Sequence, residues 1–456
     1  MNAVSDKSLE GTGAGYSGAA RSRAGAALSG AVHAPGDKSI SHRSLILSAL
    51  APGKSQVTGL LEADDVLRSA AALRALGAEI ERDGSVWTIN GGMWKTPERP
   101  LYFGNSGTGA RLVMGAAAGA GVAAIFDGDI SLRGRPMGRV LEPLRMMGVL
   151  AEAREGKLPV ALGDGVQLSA VNAKLATPSA QVKSAILLAA LGAKGKTRIH
   201  EPALCRDHTE RMLAAFGVAL TMTHDGAEGR FIEIEGGQKL RPCNVTVPGD
   251  PSSAAFAVAA ALIVPNSDVT VKGVLINPLR TGIFETLREM GADIAFENER
   301  EENGEPVADI RARYSLLCGV EVPAERAPSM IDEYPILSIV AAFAHGETLM
   351  QGLEELRVKE SDRIASVEAG LAACGGDVTS GPDWLRVRGK GQGSKAALKG
   401  GVRVKTNHDH RIAMSFLIAG LASEKPIEID DAAMIATSFP EFFAQMATIG
   451  ADIVHA

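Results

Sequence analysis

The feature that most constrains the fold is one short pattern that occurs six times along 456 residues. In each copy an apolar residue in a helix-like run is followed by three residues, a glycine and a β-rich segment. Successive glycines are 71, 69, 74, 84 and 75 residues apart, and each has the place of a left-handed residue that ends a helix. The six copies are 73–77, 144–148, 213–217, 287–291, 371–375 and 446–450. The chain is therefore predicted to contain six similar α/β units.

Each unit also has a second helix candidate that is apolar on all sides and is therefore expected to be buried. These candidates are 39–50, 109–120, 180–191, 252–263, 334–344 and 411–421. A strand candidate follows each of them and precedes the amphipathic helix that ends in the repeated glycine. The predicted unit is thus strand, buried helix, strand, amphipathic helix and two strands.

The sixth unit ends before its set of strands is complete, whereas the chain begins with a spare strand at 27–34. Pairing that strand with the last units gives two lobes of three units. The matching segments 32–37 and 245–250 are then the two passages between lobes. The predicted boundaries are a flexible tail at 1–24, a lobe of 25–35 plus 249–456, and a lobe of 36–248.

Composition excludes several classes of protein. The net charge of −6 argues against non-specific nucleic-acid binding. The four cysteines form neither a Cys-x-x-Cys pair nor a disulfide framework, which fits a reducing cytoplasm. Apolar stretches are too short for a membrane span, and the N-terminus lacks the apolar core of a signal peptide, although a transit peptide stays open.

Helix N-termini carry partial positive charge, so parallel buried helices in one lobe should attract anions at a shared end. Basic residues stand repeatedly at these ends, where they oppose the helix dipole, and an intervening anion would make their position more favourable. The candidates are Lys38, Arg43, Arg135, Lys359, Arg363 and Arg411. Two phosphates and two carboxylates would match these cations.

Acidic residues beside these cations have two interpretations. Asp332 is either a proton acceptor or the N-cap of the next helix, and Glu360 is either a proton-transfer group or an ion-pair partner within 359–363. His208, His408 and His410 are either hydrogen-bonded structural residues, which is the favoured interpretation, or groups that bind a metal or transfer protons. Cys205, beside Arg206, is an ordinary thiol in one interpretation and a reactive one in another.

Six motifs spread from about residue 30 onward resemble the 5-enolpyruvylshikimate-3-phosphate synthases. They are Pro-Gly-Asp-Lys-Ser-Ile-Ser-His-Arg at 35–43, Gly-Asn-Ser-Gly-Thr-Gly at 104–109, Arg-Pro-Met-Gly-Arg at 135–139, Arg-Asp-His-Thr-Glu at 206–210, Leu-Arg-Val-Lys-Glu-Ser-Asp-Arg at 356–363 and Asp-His-Arg-Ile-Ala-Met at 409–414. The resemblance, closest to a divergent bacterial (class II-like) branch, implies an enolpyruvyl transferase fold. This is an inside-out α/β barrel of two lobes, each with three βαβαββ units, that close over the substrates.

The resemblance also implies the site and the reaction. The 5-hydroxyl of shikimate 3-phosphate attacks phosphoenolpyruvate, and the adduct expels phosphate, without metal or organic cofactor. The residues implied for shikimate 3-phosphate are Lys38, Ser39, Arg43, Ser179, Ala180, Gln181, Arg206, Asp332 and Lys359. Those implied for phosphoenolpyruvate are Lys38, Gly107, Arg135, Gln181, Arg363 and Arg411. Lys38, Asp332 and Glu360 are the implied catalytic residues, with Glu360 preferred as proton donor and Asp332 as base.

One departure from the family concerns the C-terminal region, where Ser438 replaces the lysine that many relatives have before Phe439-Pro440. Gly107 leaves the phosphoenolpyruvate pocket without a methyl group, which predicts sensitivity to the competing inhibitor glyphosate. A monomer is expected, since the chain completes its own repeats.

Two rival functions were also considered. The first is transfer of the enolpyruvyl group to UDP-N-acetylglucosamine. Enzymes of that kind usually depend on a reactive cysteine in a loop, and none of the four cysteines of this sequence lies in a matching motif. The second is a non-catalytic nucleic-acid clamp built from the six units.

Overall fold

The structure, a computed structural model, describes residues 18–165, 167–226, 229–391 and 397–455. Most of the predicted tail, residues 1–17, lies outside these described residues. The strands are β1 (Ala20–Ser22), β2 (Ser29–His33), β3 (Gly53–Thr58), β4 (Glu79–Asp83), β5 (Val86–Gly91), β6 (Leu101–Tyr102), β7 (Ala124–Asp127), β8 (Ala151–Ala153), β9 (Val160–Leu162), β10 (Asn172–Lys174), β11 (Lys196–Glu201), β12 (Leu220–Asp225), β13 (Gly229–Glu235), β14 (Val245–Thr246), β15 (Asp268–Leu275), β16 (Asp293–Glu302), β17 (Glu305–Arg313), β18 (Glu321–Val322), β19 (His345–Gln351), β20 (Asp377–Ser380), β21 (Trp384–Lys390), β22 (Val402–Val404), β23 (Ile427–Ile429) and β24 (Ile453–His455).

Buried, all-apolar helices alternate with amphipathic helices, as the repeat predicts. The helices are α1 (Lys38–Leu50), α2 (Asp64–Ala75), α3 (Gly107–Ala120), α4 (Ile130–Gly134), α5 (Gly138–Met146), α6 (Ala180–Ala190), α7 (His208–Ala215), α8 (Pro251–Ile263), α9 (Gly282–Glu289), α10 (Ala327–Met330), α11 (Tyr334–Phe343), α12 (Arg363–Ala373), α13 (His410–Gly420) and α14 (Phe442–Thr448). The all-apolar candidates correspond to α1, α3, α6, α8, α11 and α13, whose residues are almost all buried. Their predicted positions are confirmed to within two residues.

The six repeated glycines end the amphipathic helices, as predicted. Each has a positive φ between 82° and 109°, a conformation that side chains with a Cβ rarely adopt. The chain therefore turns out of the helix at these positions and enters the next strand.

Among the described residues, six four-stranded sheets share one topology. Each has a parallel pair at one edge, and the next pair in the sheet is antiparallel. The strand orders are β14-β3-β5-β4, β6-β7-β9-β8, β10-β11-β13-β12, β2-β15-β17-β16, β18-β19-β21-β20 and β22-β23-β1-β24. The predicted βαβαββ unit is thereby confirmed.

Packing divides the chain into two units. The first contains Gly36–Val247 and Glu301–Glu305, and the second contains Pro248–Arg300 and Pro306–Ala456 together with the described residues before Gly36. The chain thus passes between the units near Pro35 and Val247. The short segment Glu301–Glu305, which packs with the first unit, was not foreseen from the sequence.

The N-terminal prediction needs two corrections. Residues 20–22 form β1, which pairs with both β23 and β24, so this part of the predicted tail belongs to the sixth sheet. The spare strand, observed as β2, pairs with β15 in the fourth sheet instead of completing the sixth. The first predicted strand began at residue 27, so β1 was missed. It was missed because β1 is only three residues long and has no clear periodicity.

In the first unit, α3 and α6 pack closely against each other, which brings together the candidate site residues at their N-termini. A Cβ added at Gly115 of α3 would lie 2.4 Å from the Ala185 carbonyl oxygen of α6, and one at Gly119 would lie 2.5 Å from the Leu188 carbonyl oxygen. Only glycine permits so close an approach. The glycines at these two positions therefore allow α3 and α6 to lie against each other along their length. In the second unit, residues of α8, α11 and α13 belong to one apolar core.

Candidate active site

Three buried helices of the first unit begin at predicted site residues. Asp37 caps α1 by accepting from the Ile40 amide, Ser106 caps α3 by accepting from Gly109, and Ser179 caps α6 by accepting from Val182. Lys38 and Ser39 therefore form the first turn of α1, and Ala180 and Gln181 that of α6. These N-termini supply the partial positive charge expected of an anion site.

Side chains join α3 to α6 at these ends. Gln181 Oε1 accepts from Arg111 Nη1 at 2.6 Å, and Gln181 Nε2 donates to Thr108 Oγ1 at 2.9 Å. Arg135 approaches from beyond α4: a Cβ on Gly107 would lie 3.4 Å from Arg135 Nη1 and 3.2 Å from Arg111 Nη1. Two guanidinium groups therefore flank the backbone of Gly107.

Arg43 connects three helices. Its Nε donates to Thr209 Oγ1 and its Nη2 to Ser184 Oγ, both at 2.7 Å, while its Nη1 donates to the Ser39 carbonyl at 2.9 Å. Burial lowers the pKa of Arg43 to about 10, so it is still a cation at neutral pH. Lys38 Nζ forms an ion pair with Asp65, the second residue of α2.

A second set of candidate residues meets in the second unit around Arg363. This side chain is only 1% exposed, and it donates to Asp409 at 2.8 Å, Asp332 at 3.1 Å and Glu360 at 2.5 Å. Lys359 Nζ lies 3.4 Å from the same Asp332 oxygen. Burial alone would lower the pKa of Arg363, but the carboxylates of Glu360, Asp409 and Asp332 raise it above its ordinary value.

Arg411 lies in the first turn of α13, against the start of α11. Its Nη1 donates to the Asp332 carbonyl at 3.3 Å and lies 3.6 Å from Glu333 Oε1. Burial raises the pKa of Glu333, an effect that Arg411 opposes. The same helix end holds Asp409, which caps α13 and whose pKa Arg363 lowers against the effect of burial.

These contacts bear on several alternatives from the sequence. Glu360 is paired with Arg363, and this ion pair leaves its role in proton transfer open. Asp332 is not the N-cap of α11, because Glu333 has that position. Lys359 precedes α12, which begins at Arg363. Burial raises the pKa of Cys205 to about 12, so its thiol is not an activated nucleophile.

Two of the three candidate histidines, His410 and His208, are buried. His410 is buried, and burial lowers its pKa to about 4, which keeps it neutral. His208 is buried against Glu305, with Nδ1 and Oε1 2.7 Å apart. In the part of the chain that the structure describes, Asp207, His208 and Glu305 form the one group of side chains close enough together to hold a metal ion. Arg211 lies 3.0 Å from the Asp207 carboxylate and 3.8 Å from that of Glu305, which opposes a cation there.

The sequence analysis missed Arg111 and gave Asp65 and Asp409 no role. Arg111 is the single charged residue of the apolar helix α3, and this isolation was a usable signal. Asp65 was hidden among the ordinary acidic residues that begin an amphipathic helix.

The fold is that of the enolpyruvyl transferases. A solved enolpyruvyl transferase from Streptomyces tendae, 20% identical, matches the fold with a TM-score of 0.74 over 97% of this chain and 100% of its own. The EPSP synthase of Acinetobacter baumannii is 43% identical, with a TM-score of 0.87 over 96% of this chain and 99% of its own.

Curated sequences narrow the class further. Residues 22–446 match the model of the family EPSP synthase (3-phosphoshikimate 1-carboxyvinyltransferase). The 3-phosphoshikimate 1-carboxyvinyltransferase of Phenylobacterium zucineum is 55% identical over 94% of both chains, and that of Mesorhizobium japonicum is 54% identical over 95% of this chain and 98% of its own. The chain belongs to the EPSP synthase family. The predicted family, fold class and transfer of enolpyruvate to shikimate 3-phosphate are thereby confirmed.

Proposed function

We propose that the two sets of residues described above bind one pair of substrates, phosphoenolpyruvate and shikimate 3-phosphate. Shikimate 3-phosphate is held by Lys38, Ser39, Arg43, Ser179, Ala180, Gln181, Arg206, Asp332 and Lys359. Phosphoenolpyruvate is held by Lys38, Gly107, Arg135, Gln181, Arg363 and Arg411. The observation that carries the proposal is the pair of guanidinium groups, Arg111 and Arg135, beside the N-terminus of α3. Helix dipole and cations there favour the same anionic group.

The reaction requires two proton transfers. Asp332 takes the proton of the 5-hydroxyl as its oxygen forms a bond to C2 of phosphoenolpyruvate, while Glu360, in its protonated form, gives a proton to C3. In the second step the C2–O bond to phosphate breaks and C3 returns a proton to Glu360, which restores the double bond. Phosphate leaves with its bridging oxygen and takes up the proton that Asp332 received, so that both carboxyl groups return to their starting states. Both carboxylates lie on Arg363, which holds them in place.

Cations act mainly by positioning and by stabilising the negative charge of the departing phosphate. The Arg135 guanidinium lies beside the N-terminus of α3, and Arg411 lies in the first turn of α13, so the helix dipole and the side-chain charge act in the same direction at both places. Lys38, whose ammonium is paired with Asp65, is proposed to contact both substrates.

Glyphosate, which competes with phosphoenolpyruvate in this family, is proposed to inhibit the enzyme. The argument is the space at Gly107: a methyl group there would approach Arg111 Nη1 to 3.2 Å. Without that methyl group, the guanidinium groups can bind either phosphoenolpyruvate or glyphosate.

We propose in addition that the enzyme acts in the cytoplasm as a monomer. Its four cysteines are free thiols, which suits a reducing compartment. No helix among the described residues is long and apolar enough to cross a membrane. A light-scattering mass of one chain at micromolar concentration is expected, and a stable dimer would contradict the proposal.

The choice of acceptor tests the proposed reaction. Purified enzyme is incubated with phosphoenolpyruvate and either shikimate 3-phosphate or UDP-N-acetylglucosamine, and released phosphate is measured. We expect release with shikimate 3-phosphate alone. Release only with the nucleotide sugar would refute the proposal, and an enzyme with Lys38→Met provides the inactive control.

A further inference from the structure

The segment that contains Arg206 is held by buried side chains from several directions. The carbonyl of Cys205, which precedes it, accepts from Lys183 Nζ at 3.2 Å and from Arg230 Nη2 at 3.1 Å. Lys183 is itself completely buried and forms ion pairs with Glu201 and Glu210, at 3.0 and 2.8 Å. The backbone before Arg206 is therefore fixed by a buried network of charges.

On the other side of Arg206, the first turn of α7 touches Arg43. Thr209 Oγ1 accepts from Arg43 Nε at 2.7 Å and lies 2.6 Å from Ser184 Oγ of α6. Any displacement of this turn therefore changes the orientation of two guanidinium groups at once. Arg206 moves because it belongs to the segment, and Arg43 because its Nε partner moves.

Glu305 reaches this turn from a distant part of the sequence. It is the first residue of β17 and lies in Glu301–Glu305, a segment that comprises the end of β16, the turn and the start of β17 and that packs with the first unit. His208 Nδ1 donates to Glu305 Oε1 at 2.7 Å, and both side chains are buried, with 0% and 2% exposure. Arg211, one turn further, donates to the Gly304 carbonyl at 2.8 Å. The tip of the β16–β17 hairpin thus holds both His208 and Arg211.

This buried carboxylate has an energetic reason to stay in place. A buried charge is costly unless it is paired, and Glu305 has His208 at hydrogen-bond distance and Arg211 Nε at 3.8 Å. Removing it leaves a buried His208 without its Nδ1 acceptor. The first turn of α7 then loses the contact that defines its position relative to the hairpin.

We propose that Glu305 is a positioning residue for the shikimate 3-phosphate pocket, acting through His208 on Arg206 and Arg43. The inference rests on the proposed function for the identity of the ligand. Glu305 does not touch the substrate; it fixes the geometry of the groups that do. Because the residues proposed for phosphoenolpyruvate, such as Gly107 and Arg135, lie on α3 and after α4, their ligand should be little affected.

The test compares Glu305→Ala, Glu305→Gln and Glu301→Ala. Glu301 is an exposed carboxylate of the same hairpin tip and is the matched control. Binding of shikimate 3-phosphate is measured by calorimetry without phosphoenolpyruvate, and the KM of phosphoenolpyruvate is measured at saturating shikimate 3-phosphate. We expect Glu305→Ala to weaken shikimate 3-phosphate binding about tenfold and to change the KM of phosphoenolpyruvate less than about twofold. Glu305→Gln keeps an oxygen that accepts from His208 and should restore binding to within about threefold of the wild type.

Two results for Glu305→Ala would overturn the positioning role: a weaker affinity for shikimate 3-phosphate with an equal rise in the KM for phosphoenolpyruvate, or unchanged binding of shikimate 3-phosphate. If Glu305→Ala does not fold, Glu305→Asp replaces it, because its shorter side chain withdraws the carboxylate while it keeps the charge; the same selective loss is expected. Wild-type enzyme that binds no shikimate 3-phosphate would instead refute the proposed function. The two failures are therefore distinguishable.

Discussion

Replacing Arg363 by lysine tests the role of the charge cluster in the second unit. The guanidinium binds three carboxylates, at 2.8 Å for Asp409, 3.1 Å for Asp332 and 2.5 Å for Glu360. A single ammonium group cannot reach all three positions, so at least one carboxylate loses its partner. Asp409, whose side chain has no exposed surface, is the most costly one to leave unpaired.

Breaking a buried ion pair costs about 3–5 kcal/mol, and lysine keeps the charge and part of the contacts, so we expect a loss of about 2–3 kcal/mol in the free energy of unfolding. Urea unfolding measures this quantity, with Arg388→Lys as the control. Arg388 pairs with Glu347 on the surface, and replacing it should cost less than about 0.5 kcal/mol. The Arg363 variant should also lose affinity for phosphoenolpyruvate.

The pH dependence gives the sign of the effect. Arg363 holds the pKa of Asp409 below its ordinary value, although burial opposes this. A carboxylate with a lowered folded-state pKa stabilises the protein above its unfolded pKa of about 4, and this stabilisation is lost as the pH falls through the folded pKa. The difference between wild type and variant should therefore shrink below about pH 4. A difference that is the same at pH 7 and pH 3, or no larger than that of the control, would refute the reasoning.

Three further predictions concern the site and its surroundings. Gly107→Ala should raise the KM of phosphoenolpyruvate several-fold and weaken glyphosate inhibition, because its methyl group would lie 3.2–3.4 Å from two guanidinium nitrogens; inhibition curves that coincide with the wild type would contradict this. Glu360→Gln and Asp332→Asn should each lower kcat about 100-fold or more in steady-state assays. With an acceptor analogue that lacks the 5-hydroxyl, only the Asp332 variant should still exchange deuterium into C3 of phosphoenolpyruvate, and exchange in both would refute the division of roles. Gly36→Ala should destabilise the enzyme by about 1–3 kcal/mol in urea, because its Cβ would lie 2.0 Å from the Gly59 carbonyl oxygen; Gly138→Ala, with open space around its Cβ, is the control and should show no loss.

Much of the fold could be predicted because each repeat carries its own local signals. The all-apolar runs gave α1, α3, α6, α8, α11 and α13, and the repeated glycines marked the ends of the helices between them. The assignment of β1 and β2 failed for a physical reason. Strand pairing over more than 200 residues depends on tertiary contacts, and short strands have too little periodicity to identify their partners.

The candidate site was predictable in its residue types but not in its contacts. The family resemblance gave Arg363 and Asp332, but the fold was needed to show that Arg363 donates to both Asp332 and Asp409. The contact of Glu305 with His208 was not visible at all in the sequence, because the two residues are 97 positions apart and Glu305 lies in no motif. Arg111 was missed although its isolation in an apolar helix was a signal.

The central claim, transfer of an enolpyruvyl group to shikimate 3-phosphate, is tested most directly by the origin of the released phosphate. Phosphoenolpyruvate labelled with oxygen-18 in its bridging C–O–P position is mixed with enzyme and shikimate 3-phosphate, and phosphate and organic product are analysed by mass spectrometry. The account predicts that the label leaves in phosphate, only when shikimate 3-phosphate is present, and that the product gains the enolpyruvyl group. Unlabelled phosphate, which indicates cleavage of the P–O bond, or release that does not depend on the acceptor, would contradict it.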